Sequence, residues 1–153
     1  MDLSDEVVID APRDAVYAAL NDTDILRQCI PGCEELERLS EDELAAKVLL
    51  KVGPVKARFA GTVRLDQTGA PERFTLSGEG NGGAAGFAKG RAEVTLEEPE
   101  PGRTVLRYAA HADIGGKLAQ LGSRLVQSTA KKLSAKFFAN FAETFDAEVK
   151  TTA

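Results

Sequence analysis

The spacing of apolar residues changes twice along this chain of 153 residues, and the double change restricts the fold more than any other feature. Between residues 34 and 113 apolar positions alternate, as in a strand with one buried face; from Gly115-Gly116 to about Lys150 they recur every three or four residues, as in an amphipathic helix. Leu44, Ala46, Val48, Leu50 and Val52 share one face, with Lys47 and Lys51 on the other. After Gly53-Pro54 the alternation resumes through Val55, Ala57, Phe59, Gly61, Val63 and Leu65, which reads as a half-buried antiparallel hairpin. Further strands are predicted over 73–80, 84–97 and 104–114. Beyond them Leu118, Leu121, Leu125, Thr129, Leu133, Phe137, Phe141 and Phe145 form one stripe, with Lys117, Arg124, Lys131 and Glu143 off it. A single helix of that extent is about 50 Å long at 1.5 Å per residue, more than a small core needs for closure.

Ahead of the strands lie a strand at 3–9, a short helix at 13–20 opened by Pro12, and a second at 25–29 stopped by Pro31-Gly32. The order predicts an α+β fold: a curved antiparallel sheet wrapped around a long C-terminal helix, with two short helices after the first strand. One domain is expected over 1–150, followed by a short tail at 151–153.

Composition removes several function classes. Twenty-four acidic against 19 basic residues, a net charge of -5, give no basic surface for nucleic acid. One histidine and two cysteines cannot build a three-histidine metal site, and no metal is expected. Alternation places His111 on the outer face with Val105, Arg107 and Ala109. Cys29 and Cys33 fall short of tetrahedral metal closure and read as small apolar side chains, with a redox pair as the alternative. The acidic N-terminus carries no secretory signal, and no window approaches the ~18 apolar residues of a membrane span, so the expectation is a cytoplasmic protein. Any membrane contact would be peripheral, at the inner face of the cytoplasmic membrane.

The inward positions are short of bulk at one end. Alternation puts Phe74, Leu76, Gly78 and Gly80 inside on one strand, and Ala84, Gly86, Ala88, Gly90, Ala92, Val94 and Leu96 on the next; a bulge at Asn81-Gly82-Gly83 would turn Phe87 inward instead of Gly86. Interiors pack to about 0.74 density, so either Phe137, Phe138 and Phe141 fill the space or a ligand does. On the outer face Lys47, Lys51, Lys56, Arg58, Arg64 and Arg73 collect, as a solvated surface or as a docking face for an acidic partner or an anionic membrane.

Four segments are more specific. Ile30-Pro31-Gly32-Cys33, the run from Gly53 to Gly61 (GPVKARFAG), Gly86-Phe87-Ala88-Lys89-Gly90, and the run from Gly115 to Leu125 (GGKLAQLGSRL) together resemble the CoxG family of carbon monoxide dehydrogenase, over nearly the whole chain. That family lies in the START-like (SRPBCC) helix-grip superfamily, so the resemblance implies the same element order and a deep hydrophobic cavity under the last helix. Its members are accessory proteins of carbon monoxide dehydrogenase-type molybdenum hydroxylases, helping to recruit the enzyme to the membrane and binding a quinone or similar lipid. Many carry a C-terminal membrane-associating extension, whereas this chain ends at Thr151-Thr152-Ala153.

The expected function is a non-catalytic carrier with no covalent cofactor, holding a quinone or other lipid and partnering the molybdenum enzyme. Its expected lining is Phe59, Phe74, Tyr108, Leu121, Leu125, Phe137 and Phe141, with Gly78, Gly80, Gly86 and Gly90 making room and Ile30, Pro31, Gly32 and Cys33 at the rim. The alternatives are an assembly or recruitment protein without small-molecule cargo, and a START-like cyclase or hydrolase drawing on Tyr17, Tyr108 or Asp113.

Overall fold

The computed structural model describes the backbone of residues 1–152 and side-chain surroundings for residues 1–145, so Ala153 of the expected tail lies outside the described residues. Seven antiparallel strands form one sheet: β1 (Asp2–Ile9), β2 (Cys33–Ser40), β3 (Glu43–Val52), β4 (Val55–Asp66), β5 (Arg73–Asn81), β6 (Phe87–Glu100) and β7 (Arg103–Gly115). The order across the sheet is β1-β7-β6-β5-β4-β3-β2, a meander whose last strand takes the first as its neighbour. Between β1 and β2 run α1 (Arg13–Leu20) and α2 (Thr23–Cys29); Asp22 caps α2 by accepting from the N–H groups of Asp24 and Ile25.

Two local expectations are corrected. The C-terminal helical stretch is not continuous: a short α3 (Lys117–Gln120) ends before Gly122, whose φ of +95° suits glycine and breaks the helix, and α4 (Ser123–Thr152) starts afresh. The strand expected from residue 84 begins at Phe87, because Gly83–Ala85 form one turn of 3-10 helix.

The alternation holds elsewhere. Even-numbered residues of β3, β5, β6 and β7 and odd-numbered residues of β4 face the helix, and the opposite parity is exposed. The core divides into two clusters. The larger joins Ile9, Val16, Ala19, Cys29, Phe74, Val94, Leu96, Leu106, Phe141 and Phe145 beneath α1 and α2; fully buried Thr104 donates its hydroxyl to the Ala11 carbonyl at 2.8 Å there. The smaller joins Val52, Phe59, Ala85 and Leu118 beside α3. No helix among the described residues is long and apolar enough to cross a membrane.

Candidate functional site: an apolar chamber beneath the last helix

Between the two clusters the sheet is nearly bare. Register aligns Ala46, Gly61, Gly80, Ala88 and Ile114 in one row across five strands, and Leu44, Val63, Gly78, Gly90 and Ala112 in the next. At the centre of each row no side chain is larger than a methyl group, so α4 cannot be met from below. Val126, Thr129, Ala130 and Leu133 of α4 form the roof, and the enclosed chamber measures about 360 Å³. That lies within the range of small-ligand pockets. A second space of about 240 Å³, lined by Ile30, Pro31, Ser134, Phe137 and Phe138, shares the walls Val48, Leu50 and Leu133 with the first. The sequence leaves the chamber almost without polar atoms. Glu79 and Lys89 border it along the backbone of β5 and β6, but their exposed side chains have the outer parity.

The expected lining is divided by this geometry. Phe59, Gly78, Gly80 and Gly90 line the main chamber, and Phe137, Ile30 and Pro31 the second. Phe74, Tyr108 and Phe141 belong to the packed end instead: Phe74 and Phe141 are buried in the larger cluster, and Tyr108 stacks on Phe138 with centroids 5.2 Å apart. The two readings of the aromatic stripe thus each hold at one end of the helix. Leu121 packs against the smaller cluster, and Leu125, 36% exposed, leans over the Gly53 turn rather than into the chamber.

Neither alternative at the bulge enters the site. Gly86, at φ +118°, makes room for backbone: a Cβ there would stand 2.2 Å from the Gly115 carbonyl oxygen. Phe87 faces outward, 50% exposed, over Gly115. Gly32 serves a similar close approach, to the Leu49 carbonyl, and Cys33 pairs with Val48 at the start of β2; neither lines the second space. Ala46, Gly61, Ala88, Ala112, Val126 and Ala130 line the main chamber outside the expected set. The signal that finds the sheet residues among them is cross-strand register, where small residues fall opposite small residues.

The remaining polar groups stand away from the chamber. Tyr17 donates its hydroxyl to Gln67 at the packed end. Asp113 accepts from His111 on the outer face, where the imidazole lies between Asp2 (2.8 Å) and Asp113 (3.2 Å); these carboxylates, Asp2 foremost, hold its pKa above the ordinary 6.5. Cys29 lies beside Thr144 and Cys33 beside the Glu35 carbonyl, both unbridged, and burial pushes both thiols up. Among the described residues no three His, Cys, Asp or Glu side chains converge to hold a metal.

The six outer cations are all exposed, but four are matched by carboxylates: Lys47 by Glu35 (3.3 Å), Arg58 by Glu34 (2.8 Å), Arg64 by Glu43 (3.0 Å) and Arg73 by Glu93 (3.6 Å). Lys51 and Lys56 stand opposite each other without such partners among the described residues. The outer face is therefore far less cationic than its lysines and arginines suggest. It does carry a broad depression of about 900 Å³, but Glu35, Glu37, Lys47, Glu79 and Lys89 border it, which makes it a solvated saddle rather than a container.

The CoxG family, described as the G-type subunit of carbon monoxide dehydrogenase, matches residues 6–145. Among solved structures, a conserved protein from Geobacillus kaustophilus is 26% identical, with 96% of each chain covered and a TM-score of 0.89. An aromatase/cyclase from Streptomyces sp. R1128 (TM-score 0.72, 11% identity, covering 97% of this chain and 95% of that one) shares the fold. So does a START superfamily protein from Mycobacterium smegmatis (TM-score 0.65, 15% identity, 99% of each chain). A search of curated protein sequences finds no match.

Proposed function

Because the chain belongs to the CoxG family of carbon monoxide dehydrogenase, we propose that it is a non-catalytic carrier that holds an isoprenoid quinone or another lipid beneath α4 for a molybdenum hydroxylase of the carbon monoxide dehydrogenase type. The observation that carries this reading is the chamber itself: a floor of Gly61, Gly78, Gly80, Ala88 and Gly90 under a roof of aliphatic side chains, with no charged side chain directed inward. Such a space excludes a polar substrate, because every buried polar group of the ligand would lose its water without gaining a partner. It favours an apolar chain whose polar head stays at the opening. The role of the protein would then be to keep the chain out of water while the partner enzyme delivers electrons to a quinone head.

The cyclase reading raised by some fold neighbours finds little support in the geometry. A general acid or base must reach the reacting atoms, and Tyr17, Tyr108 and Asp113 are engaged outside the chamber.

Native mass spectrometry and solvent extraction of the purified protein, followed by titration with a long-chain quinone, test the carrier. One equivalent of apolar ligand, recovered or rebound at micromolar concentration, is the expected result. A ligand-free protein that binds no quinone or lipid at that concentration would return the protein to an assembly role without cargo.

A further inference from the structure

The charge distribution of α3 and α4 differs from that of the sheet. Between Asp113 and Glu143 there is no acidic residue, while Lys117, Arg124, Lys131, Lys132 and Lys136 are present and exposed. None of the five lies within salt-bridge distance of a carboxylate among the described residues, in a protein whose outer sheet cations are mostly matched.

Helix stability does not account for this arrangement. Arg124 occupies the first turn of α4, where the helix dipole disfavours a cation and no acidic residue offsets it. Lys132 and Lys136 are four residues apart on one face, a spacing at which like charges repel. The chain therefore tolerates two unfavourable electrostatic contacts on the same ridge, which an external anionic surface would turn into favourable ones.

The geometry points to α3 and the first turns of α4 as a docking ridge for an anionic lipid bilayer. From Arg124 to Lys136 the ridge extends about 18 Å. Beside Arg124 stands Leu125, one of the few large apolar side chains left exposed, so cations and an apolar anchor lie side by side, as in helices that rest at a membrane interface. The opposite side of the same helix, Val126, Ala130 and Leu133, roofs the chamber. Docking would thus lay the roof, rather than the outer sheet face, against the source of an apolar cargo. The ridge goes beyond the carrier reading and stands without it, since its charge pattern exists whatever the chamber holds.

The test is sedimentation of the full chain with cargo-free vesicles, of phosphatidylcholine alone or doped with phosphatidylglycerol. Wild type should bind only the doped vesicles, more weakly as salt rises. The triple variant Arg124→Glu/Lys131→Glu/Lys132→Glu should lose on the order of a hundredfold in partition, at about a tenfold per cation or somewhat less. Lys51→Glu/Lys56→Glu on the sheet should lose far less. Thermal melting guards against misfolding and adds a signature: the triple variant should melt no lower than wild type, because it relieves repulsion and suits the helix dipole. Three results would overturn the proposal: no binding to doped vesicles, equal loss from both variants, or binding of the ridge to polyglutamate but not to lipid, which would assign it to an acidic protein. Since no quinone is present, failure here leaves the carrier test untouched.

Discussion

The two ends of the concave face are made from the same three strands and differ in only a few side chains. Toward α1, β5, β6 and β7 align Phe74, Val94 and Tyr108, with Leu96 beside Leu106; toward α3 they align Gly80, Ala88 and Ile114, then Gly78, Gly90 and Ala112. The backbone pairing is equally regular at both ends, so the strands do not fray where the side chains are lost. A container can be hollowed in a sheet by removing side chains from adjacent register positions while the hydrogen-bonded ladder stays intact. The packed end is then left to hold the fold together.

That division predicts unequal costs for similar truncations of α4. Phe141 is 0% exposed and stacks on Phe137 and Phe145, so Phe141→Ala should cost about 3–5 kcal/mol. Leu133 already faces open space on two sides, so Leu133→Ala should cost about 1–2 kcal/mol, below the usual range for a buried leucine. Urea unfolding of both variants checks this, and equal losses would mean that the chamber wall is packed as tightly as the core.

A smaller effect on stability, with a larger one on binding, is expected from filling the floor. At Gly80 an added Cβ would meet only the Ala60 carbonyl oxygen, at 3.9 Å, whereas at Gly61 it would come within 2.4 Å of the Glu79 carbonyl oxygen. Gly80→Val should therefore stay within about 1 kcal/mol of wild type, since a β-branched residue suits a strand, while reducing uptake of a long-chain ligand. Retained uptake in the folded variant, measured by native mass spectrometry, would place the cargo elsewhere.

How far these two regions are legible in the sequence differs as well. Period-two alternation assigns the facing of Gly78, Gly80, Gly90 and His111 because each lies within an unbroken strand. It fails at Gly86 because the 3-10 turn at Gly83–Ala85 breaks the alternation just ahead of it. It also carries no register, so that Gly61 opposite Gly80 opposite Ala88 cannot be seen, nor can a core aromatic be told from a lining one. Leu125 shows another limit. At 3.6 residues per turn, a row taken every fourth residue advances about 40° at each step, so a stripe drawn from Leu118 to Phe145 cannot stay on one face. The break at Gly122 resets the phase again, which is why Val126 and Ala130 form the roof in place of Leu121 and Leu125.

The smallest expected effect lies on the outer side of the hollow end. There β1 is an edge strand, and its first residues are tied down by charge: His111 Nδ1 meets Asp2, His111 Nε2 meets Asp113, and Gln127 of α4 donates to the Asp2 carbonyl. Because the folded protein holds the imidazole pKa above 6.5, the histidine's contribution is present in full below that value and is lost as pH rises through the raised one. Asp2, whose own pKa is lowered by the same contact, stays ionised over that interval and does not reverse the sign. All three side chains are exposed, so solvent screens the pair strongly. Wild type should accordingly lose at most ~2 °C more of melting temperature than His111→Gln between mildly acidic and mildly alkaline pH, with the two curves converging at the alkaline end. Parallel curves would show that the clamp adds nothing to the edge strand. A larger difference would mean that the hollow end depends on its outer face for the order that its missing side chains do not supply.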